Sequence, residues 1–131
     1  MKREFFIAGV QFRPQVEIRA TASVLKTDDV LLLEPEPTNR FDPNAIKIIY
    51  PEEQIFLGYV PKRFSSEVAG LLEAGIDLEC IVQAVDLKAK TYEMFKVVIQ
   101  EHIEEDIEDD NLDEVRDLMG ESSNFNEEGD R

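Results

Sequence analysis

Two short stretches of the chain combine residue types that could hold a ligand. In residues 33–48 (LEPEPTNRFDPNAIKI), Asn39, Asp42, Pro43 and Asn44 are strong turn formers. Asn and Asp side chains bond nearby backbone groups, and proline presets its own φ. A turn accounts for these four, but it requires neither Arg40 nor Phe41, a cation and a large ring set side by side in a connection between apolar runs. Such a pair suits contact with a phosphate and stacking on a base. A purely structural turn and a binding loop therefore both stand as readings. In residues 57–63 (LGYVPKR), Lys62 and Arg63 fall at the start of an expected helix. Cations there oppose the helix dipole, each costing ~0.3–1 kcal/mol when close to the end. A bound anion would offset both, since a helix N-terminus with free N–H groups is itself a phosphate site. Tyr59 alternates onto the same strand face as Ile55 and Leu57, so a core tyrosine stands beside a ligand-contacting ring.

The other reactive side chains fit no catalytic pattern. A single cysteine, Cys80, excludes an internal disulfide, and with one histidine, His102, it cannot complete a Cys/His zinc site. Ser65 and Ser66 have no histidine near them in the sequence, Cys80 alternates with residues of buried type, and no Gly-rich phosphate loop follows a strand. Acidic residues 106–117 fail as an EF-hand loop, with Asn111 at the sixth position, where Gly is needed, and Asp117 at the twelfth, where Glu is needed. We expect no enzymatic activity, no metal and no cofactor.

The elements that must position the two stretches follow from patterning. The chain's 131 residues suffice for one domain plus a tail, and too few remain for a second domain. Short apolar runs punctuated by turn residues suit a small barrel, with strands expected over residues 4–10, 30–36, 45–50, 55–60, 78–85 and 92–100. In the fifth of these, Leu78, Cys80, Val82 and Ala84 can share a face. Phe64, Val68, Leu71 and Leu72 repeat at helical spacing from a capping region at Ser65 and Ser66, and Gly75 stops the helix. Residues 15–29 read both ways: Val16, Ile18 and Ala20 alternate like a strand, while Ala20, Val24 and Leu25 have helical spacing.

Charge divides the chain more sharply than hydropathy does. Residues 1–100 are near neutral at −3, whereas residues 101–131 carry −12 of the total −15. The total therefore says little about whether the body meets a polyanion. In the tail, Asn111 can cap a short helix with Leu112, Val115, Leu118 and Met119 as its stripe and Gly120 at its end, and the last residues read as disordered. No apolar run approaches the length of a membrane span, and no signal-type stretch follows the charged start, so a soluble, cytoplasmic protein is expected.

The two stretches together resemble the HIRAN domain, a small modified β-barrel found in helicase-like transcription factor and as free-standing bacterial proteins. The resemblance rests on an EP pair, then N-x-aromatic-D-x-N-A-I, then a GY strand end ahead of a Pro-Lys helix start, and it covers roughly residues 4–85. It implies binding of single-stranded DNA, particularly an end with a free 3′-hydroxyl, and it explains a carboxylate in such a site. Ionised Asp42 only accepts, so it can hold a 3′-OH, a donor that an internal nucleotide lacks, whereas a 3′-phosphate would meet it with like charge. The resemblance further implies stacking of Phe41 on a terminal base. Many relatives have Tyr in place of Phe41 and some have His in place of Tyr59. On the first strand the family often places a basic residue before aromatics; here that position is Phe5, and Phe6 is the aromatic carried over as a candidate.

The full expectation is a mainly β (β+α) protein: a modified OB/SH3-like barrel of about six strands with one main helix over residues 1–100, then an acidic tail that is partly helical or disordered. Asn39, Arg40, Phe41, Asp42, Tyr59, Lys62, Arg63 and Phe6 are the candidate DNA-binding residues. DNA repair or replication-fork processing is the expected setting, with a helicase or nuclease as protein partner. The rival class is a protein-interaction module in which the acidic tail docks a partner or mimics nucleic acid and the motif survives as a turn.

Overall fold

The computed structural model describes residues 1–102. Its elements are β1 (Lys2–Phe6), a 3-10 turn (Val10–Phe12), α1 (Gln15–Val24), β2 (Val30–Pro35), β3 (Ile46–Tyr50), β4 (Ile55–Tyr59), α2 (Lys62–Glu73), β5 (Leu78–Val85), a second 3-10 turn (Thr91–Glu93) and β6 (Phe95–Glu101). The strands pair antiparallel in the order β1-β6-β5-β2-β3-β4. The sheet curls until its outer strands meet: Ala8, just past β1, and Tyr59, the last residue of β4, exchange both backbone hydrogen bonds at 2.9 and 2.8 Å. Gly58 makes this closure possible, since a Cβ there would lie 2.3 Å from the Ala8 carbonyl oxygen. The mainly β, barrel-like architecture read from the sequence is the one observed.

Burial of the inward-facing residues holds the curl. Phe5, Ile7, Leu31, Ile46, Ile48, Leu57, Cys80, Val82, Phe95, Val97 and Ile99 come from all six strands or their ends, and each is buried. Two helices, not one, cover this core. α1 settles the segment that read both ways: Ile18, Thr21, Ala22 and Leu25 form its buried face, while Ala20 and Val24 are exposed. The polar Thr21 at the centre of that stripe disguised the helical period. In α2, Phe64, Val68 and Leu72 pack on the core, and the helix ends in a Schellman motif at Gly75 (φ 85°), whose N–H bonds the Leu72 carbonyl while that of Ile76 bonds Leu71.

Three local expectations are corrected. α2 begins at Lys62, directly after Pro61, so Ser65 lies inside the helix and caps nothing. Proline fixes the φ of the flanking residue and makes the earlier start possible. The expected strand over residues 92–100 begins only at Phe95, because Thr91–Glu93 form the second 3-10 turn. In β5 the register slips between Val82 and Ala84, leaving Gln83 as an extra residue opposite β6. The bulge breaks the alternation, so Cys80 and Val82 are buried but Ala84 is exposed. The acidic tail beyond His102, including the short helix expected from Asn111 to Gly120, lies outside the described residues.

Candidate functional site

The loop between β2 and β3 is built largely by its own side chains. Its ends are tied by backbone bonds from the Glu36 N–H to Ala45 and from the Ala45 N–H to Asp42. The Asn39 side-chain oxygen accepts the N–H groups of Phe41 and Asp42, both at 2.9 Å, and its amide nitrogen donates to Glu36 Oε1 at 2.8 Å and to the Tyr59 hydroxyl at 3.3 Å. Asp42 Oδ1 accepts the Asn44 N–H at 2.9 Å. The turn chemistry expected of Asn39 and Asp42 is therefore present. It leaves Arg40 exposed and Phe41 88% exposed at the tip. The turn-forming residues are the scaffold that presents the cation and the ring.

Tyr59 reaches this loop because β4 is irregular. Ile48 pairs with Gly58 but Ile49 pairs with Phe56, so Leu57 is an extra residue. In a regular strand Phe56 and Tyr59 would face opposite ways; across the bulge their rings meet edge to face with centroids 5.2 Å apart. Tyr59 therefore does not share the face of fully buried Leu57, which corrects the alternation read from the sequence. The Arg13 guanidinium lies 4.0 Å from the Phe56 ring centroid and Lys47 Nζ 5.0 Å from it. The Tyr59 hydroxyl donates to Glu36 Oε1 at 2.7 Å. Burial and the carboxylate beside it push the Tyr59 phenol above its ordinary value. Bonds donated by Asn39 and Tyr59, with Lys47 nearby, hold Glu36 below its own.

Asp42 joins the loop to α2. Its Oδ2 accepts the Ser65 hydroxyl at 2.7 Å. That bond, the Asn44 N–H and the nearby Lys62 charge hold the carboxyl below the ordinary range, so it is ionised at neutral pH. Each oxygen has one protein donor here, and a carboxylate offers about four acceptor sites in all, so acceptor capacity is left over.

These elements enclose a cleft of about 280 Å³, and five of the eight candidates line it: Asn39, Phe41, Asp42, Tyr59 and Lys62. Ala8 and Gly9 also line it, with Gly9 at φ 78° turning the chain beside the Tyr59 ring. Phe6 and Arg63 line an adjoining cleft of about 370 Å³ that shares Ala8 and Gly9. The alternation of β1 settles which phenylalanine is core: Phe5 is 3% exposed and packs on Phe64 at 5.8 Å, while Phe6 is 41% exposed. Arg40 lines neither cleft. Three residues escaped the sequence reading. Sequence patterning puts Tyr92, in the second cleft, in a strand, Ser65 in a cap and Glu36 at a strand end, although the EP pair before the turn is a signal for Glu36. Among the described residues no group of three or more His, Cys, Asp or Glu could hold a metal ion, and no helix is long and apolar enough to cross a membrane.

Comparison with known proteins places this geometry. The HIRAN domain family matches residues 3–102, more than three quarters of the chain and nearly every described residue. The chain belongs to the HIRAN domain family. HIRAN domains are nucleic-acid-binding modules. Two crystal structures share the fold. One is a protein from Lactobacillus plantarum, 23% identical, with a TM-score of 0.62, covering 78% of this chain and 100% of its own. The other is the HIRAN domain of human HLTF, 16% identical, with a TM-score of 0.53, covering 75% of this chain and 70% of its own. A search of curated proteins found no match.

Proposed function

We propose that this HIRAN protein is a binding module, not an enzyme, that recognises single-stranded DNA at 3′-hydroxyl ends through the cleft between the 36–45 loop and α2. The observation that carries the reading is one cleft lined by an ionised acceptor, Asp42, an exposed ring, Phe41, and a cation, Lys62. A terminal base stacks on Phe41, and the 3′-hydroxyl donates to the acceptor capacity that Asp42 retains. The preceding phosphate meets Lys62 and the start of α2, where backbone N–H groups add to the attraction. The Phe6, Arg63 and Tyr92 cleft then accepts the next nucleotide, with Arg40 adding charge from the loop tip. The Tyr59 hydroxyl proton is committed to Glu36, so Tyr59 meets the ligand through its ring.

The setting we propose is DNA repair or replication-fork processing in the cytoplasm, where a helicase or nuclease partner supplies the chemistry. The test is a titration of the full chain with a labelled strand ending in 3′-OH beside the same strand ending in 3′-phosphate, at low and moderate salt. Tighter, salt-weakened binding of the hydroxyl end supports the proposal. Equal binding reduces the cleft to a general single-strand groove. No binding to either strand, with the acidic tail present or deleted, turns the reading toward the protein-interaction class.

A further inference from the structure

We infer that Glu36 sets the end selectivity of the cleft, by locking Asn39 and Tyr59 in one orientation and by keeping Lys47 off the ligand's phosphates. This rests on the nucleic-acid reading above. Glu36 sits behind the cleft wall and is absent from its lining, so it acts as a positioning residue. One of its oxygens takes both the Tyr59 hydroxyl at 2.7 Å and the Asn39 amide at 2.8 Å, while the other pairs with Lys47 Nζ at 3.4 Å.

Each contact removes one freedom. An ionised carboxylate only accepts, so the Asn39 NH₂ group must face it and the Asn39 carbonyl must face the Phe41 and Asp42 N–H groups. The tip that carries Phe41 and Asp42 is thereby fixed to Glu36, the residue that follows β2. The Tyr59 hydroxyl has a single proton and directs it to Glu36, which leaves only its ring for the ligand. Lys47 lies on the Phe56 face beside Tyr59 and is neutralised by Glu36. The cleft therefore meets a strand with Asp42 and a limited set of cations, and the chemistry of the terminal group outweighs summed charge.

Two variants of the full chain test the two halves of the inference. Glu36→Gln keeps the shape and frees the Lys47 charge. We expect its preference for 3′-OH over 3′-phosphate to fall about tenfold, mainly through tighter binding of the phosphate end. The slope of log affinity against log salt should steepen by about 0.7, the value of one further phosphate contact on a single strand. Adding Lys47→Met should return the slope to that of wild type. Glu36→Ala removes all three side-chain contacts and keeps the backbone bonds of residue 36, and without any ligand amide hydrogen exchange at Phe41 and Asp42 should accelerate while β5 and β6 amides keep their protection. A Glu36→Gln protein with wild-type selectivity and slope overturns the selectivity role. Unchanged exchange in Glu36→Ala overturns the hold on the loop. A wild type that binds neither strand overturns the nucleic-acid reading and the selectivity role with it, and the exchange measurement then still decides whether Glu36 organises the loop.

Discussion

The β5–β6 sheet and the 36–45 loop hold their backbones by opposite means. Between β5 and β6 the backbone ladder does the holding, and side chains such as Cys80, Val82, Val97 and Ile99 fill the space it encloses. In the loop the side chains of Asn39, Asp42 and Glu36 stand in for the ladder, taking the backbone N–H groups of Phe41, Asp42 and Asn44 or anchoring the residue that does. A substitution in the sheet therefore changes packing and leaves the chain path. A substitution in the loop changes the path at little cost in packing. Stability and recognition are thus separable in this molecule, except where the two regions meet.

They meet at the Ala8–Tyr59 closure, and the largest effect is expected there. Gly58→Val places its Cβ against the Ala8 carbonyl and the Ile7 side chain, with backbone on one side and a buried core residue on the other. Neither can yield without opening the barrel. We expect a loss of about 3 kcal/mol or more in urea unfolding, and loss of DNA binding with it. A variant that unfolds like wild type would show that closure of the outer strands is dispensable.

Away from the closure, a matched pair sharpens the contrast. Ile99→Ala in β6 should cost about 2–5 kcal/mol through the cavity it leaves, and the protein that remains folded should bind with unchanged affinity. Asn39→Ala removes four hydrogen bonds near solvent and should cost about 1–3 kcal/mol, no more than the core cavity does, yet weaken binding about a hundredfold because Phe41 and Asp42 lose their anchor. Cys80 provides the readout of opening. Burial pushes its thiol up to about 12, so the native protein should resist thiol reagents. Labelling should accelerate in Ile99→Ala and stay slow in Asn39→Ala. Equal labelling in both would break the distinction.

How much of this contrast the sequence discloses depends on the kind of information each region needs. The strands of the sheet were legible, because short apolar runs bounded by turn residues mark Val30–Pro35, Ile46–Tyr50 and Leu78–Val85. Both bulges were not, since an extra residue at Leu57 or Gln83 shows only when the partner strand fixes the register. That is why Tyr59 read as sharing a face with Leu57 and Ala84 as sharing one with Val82. α1 was obscured by Thr21 at the centre of its buried stripe. In the candidate site, residue types identified the loop tip and the start of α2. Glu36 and Ser65 act through contacts across 23 positions, to Tyr59 and to Asp42, that no local pattern encodes.

A smaller effect tests the carboxylates that replace the ladder. Asp42 and Glu36 both have folded pKa values below their ordinary 3.8 and 4.5. A depressed pKa contributes stability that is fully present above the ordinary value and disappears as pH falls through the folded one. Thermal melts should therefore drop steadily from about pH 5 downward. The drop should be shallower in Asp42→Asn, which has no charge to lose. Asp42→Asn should also lose preference for the hydroxyl end at neutral pH, since an amide can donate to a 3′-phosphate as readily as it accepts from a hydroxyl. An identical acid profile in wild type and Asp42→Asn would assign the acid sensitivity to other groups, such as Glu79, held low by His102 and Gln100.

The smallest effect is expected at Arg40, and it separates presentation from construction within the loop itself. Arg40 is exposed, takes no part in the Asn39 and Asp42 bonds that fix the backbone, and lines neither cleft. Arg40→Ala should leave the melting temperature unchanged and lower affinity only a few-fold at low salt, flattening the salt slope by about 0.7 for a single strand. The preference for 3′-OH over 3′-phosphate should persist, because the acceptor and the ring keep their positions. A loss of that preference on removing Arg40 would mean that end recognition depends on the loop's charge, and the division between residues that build the loop and residues that meet the ligand would have to be redrawn.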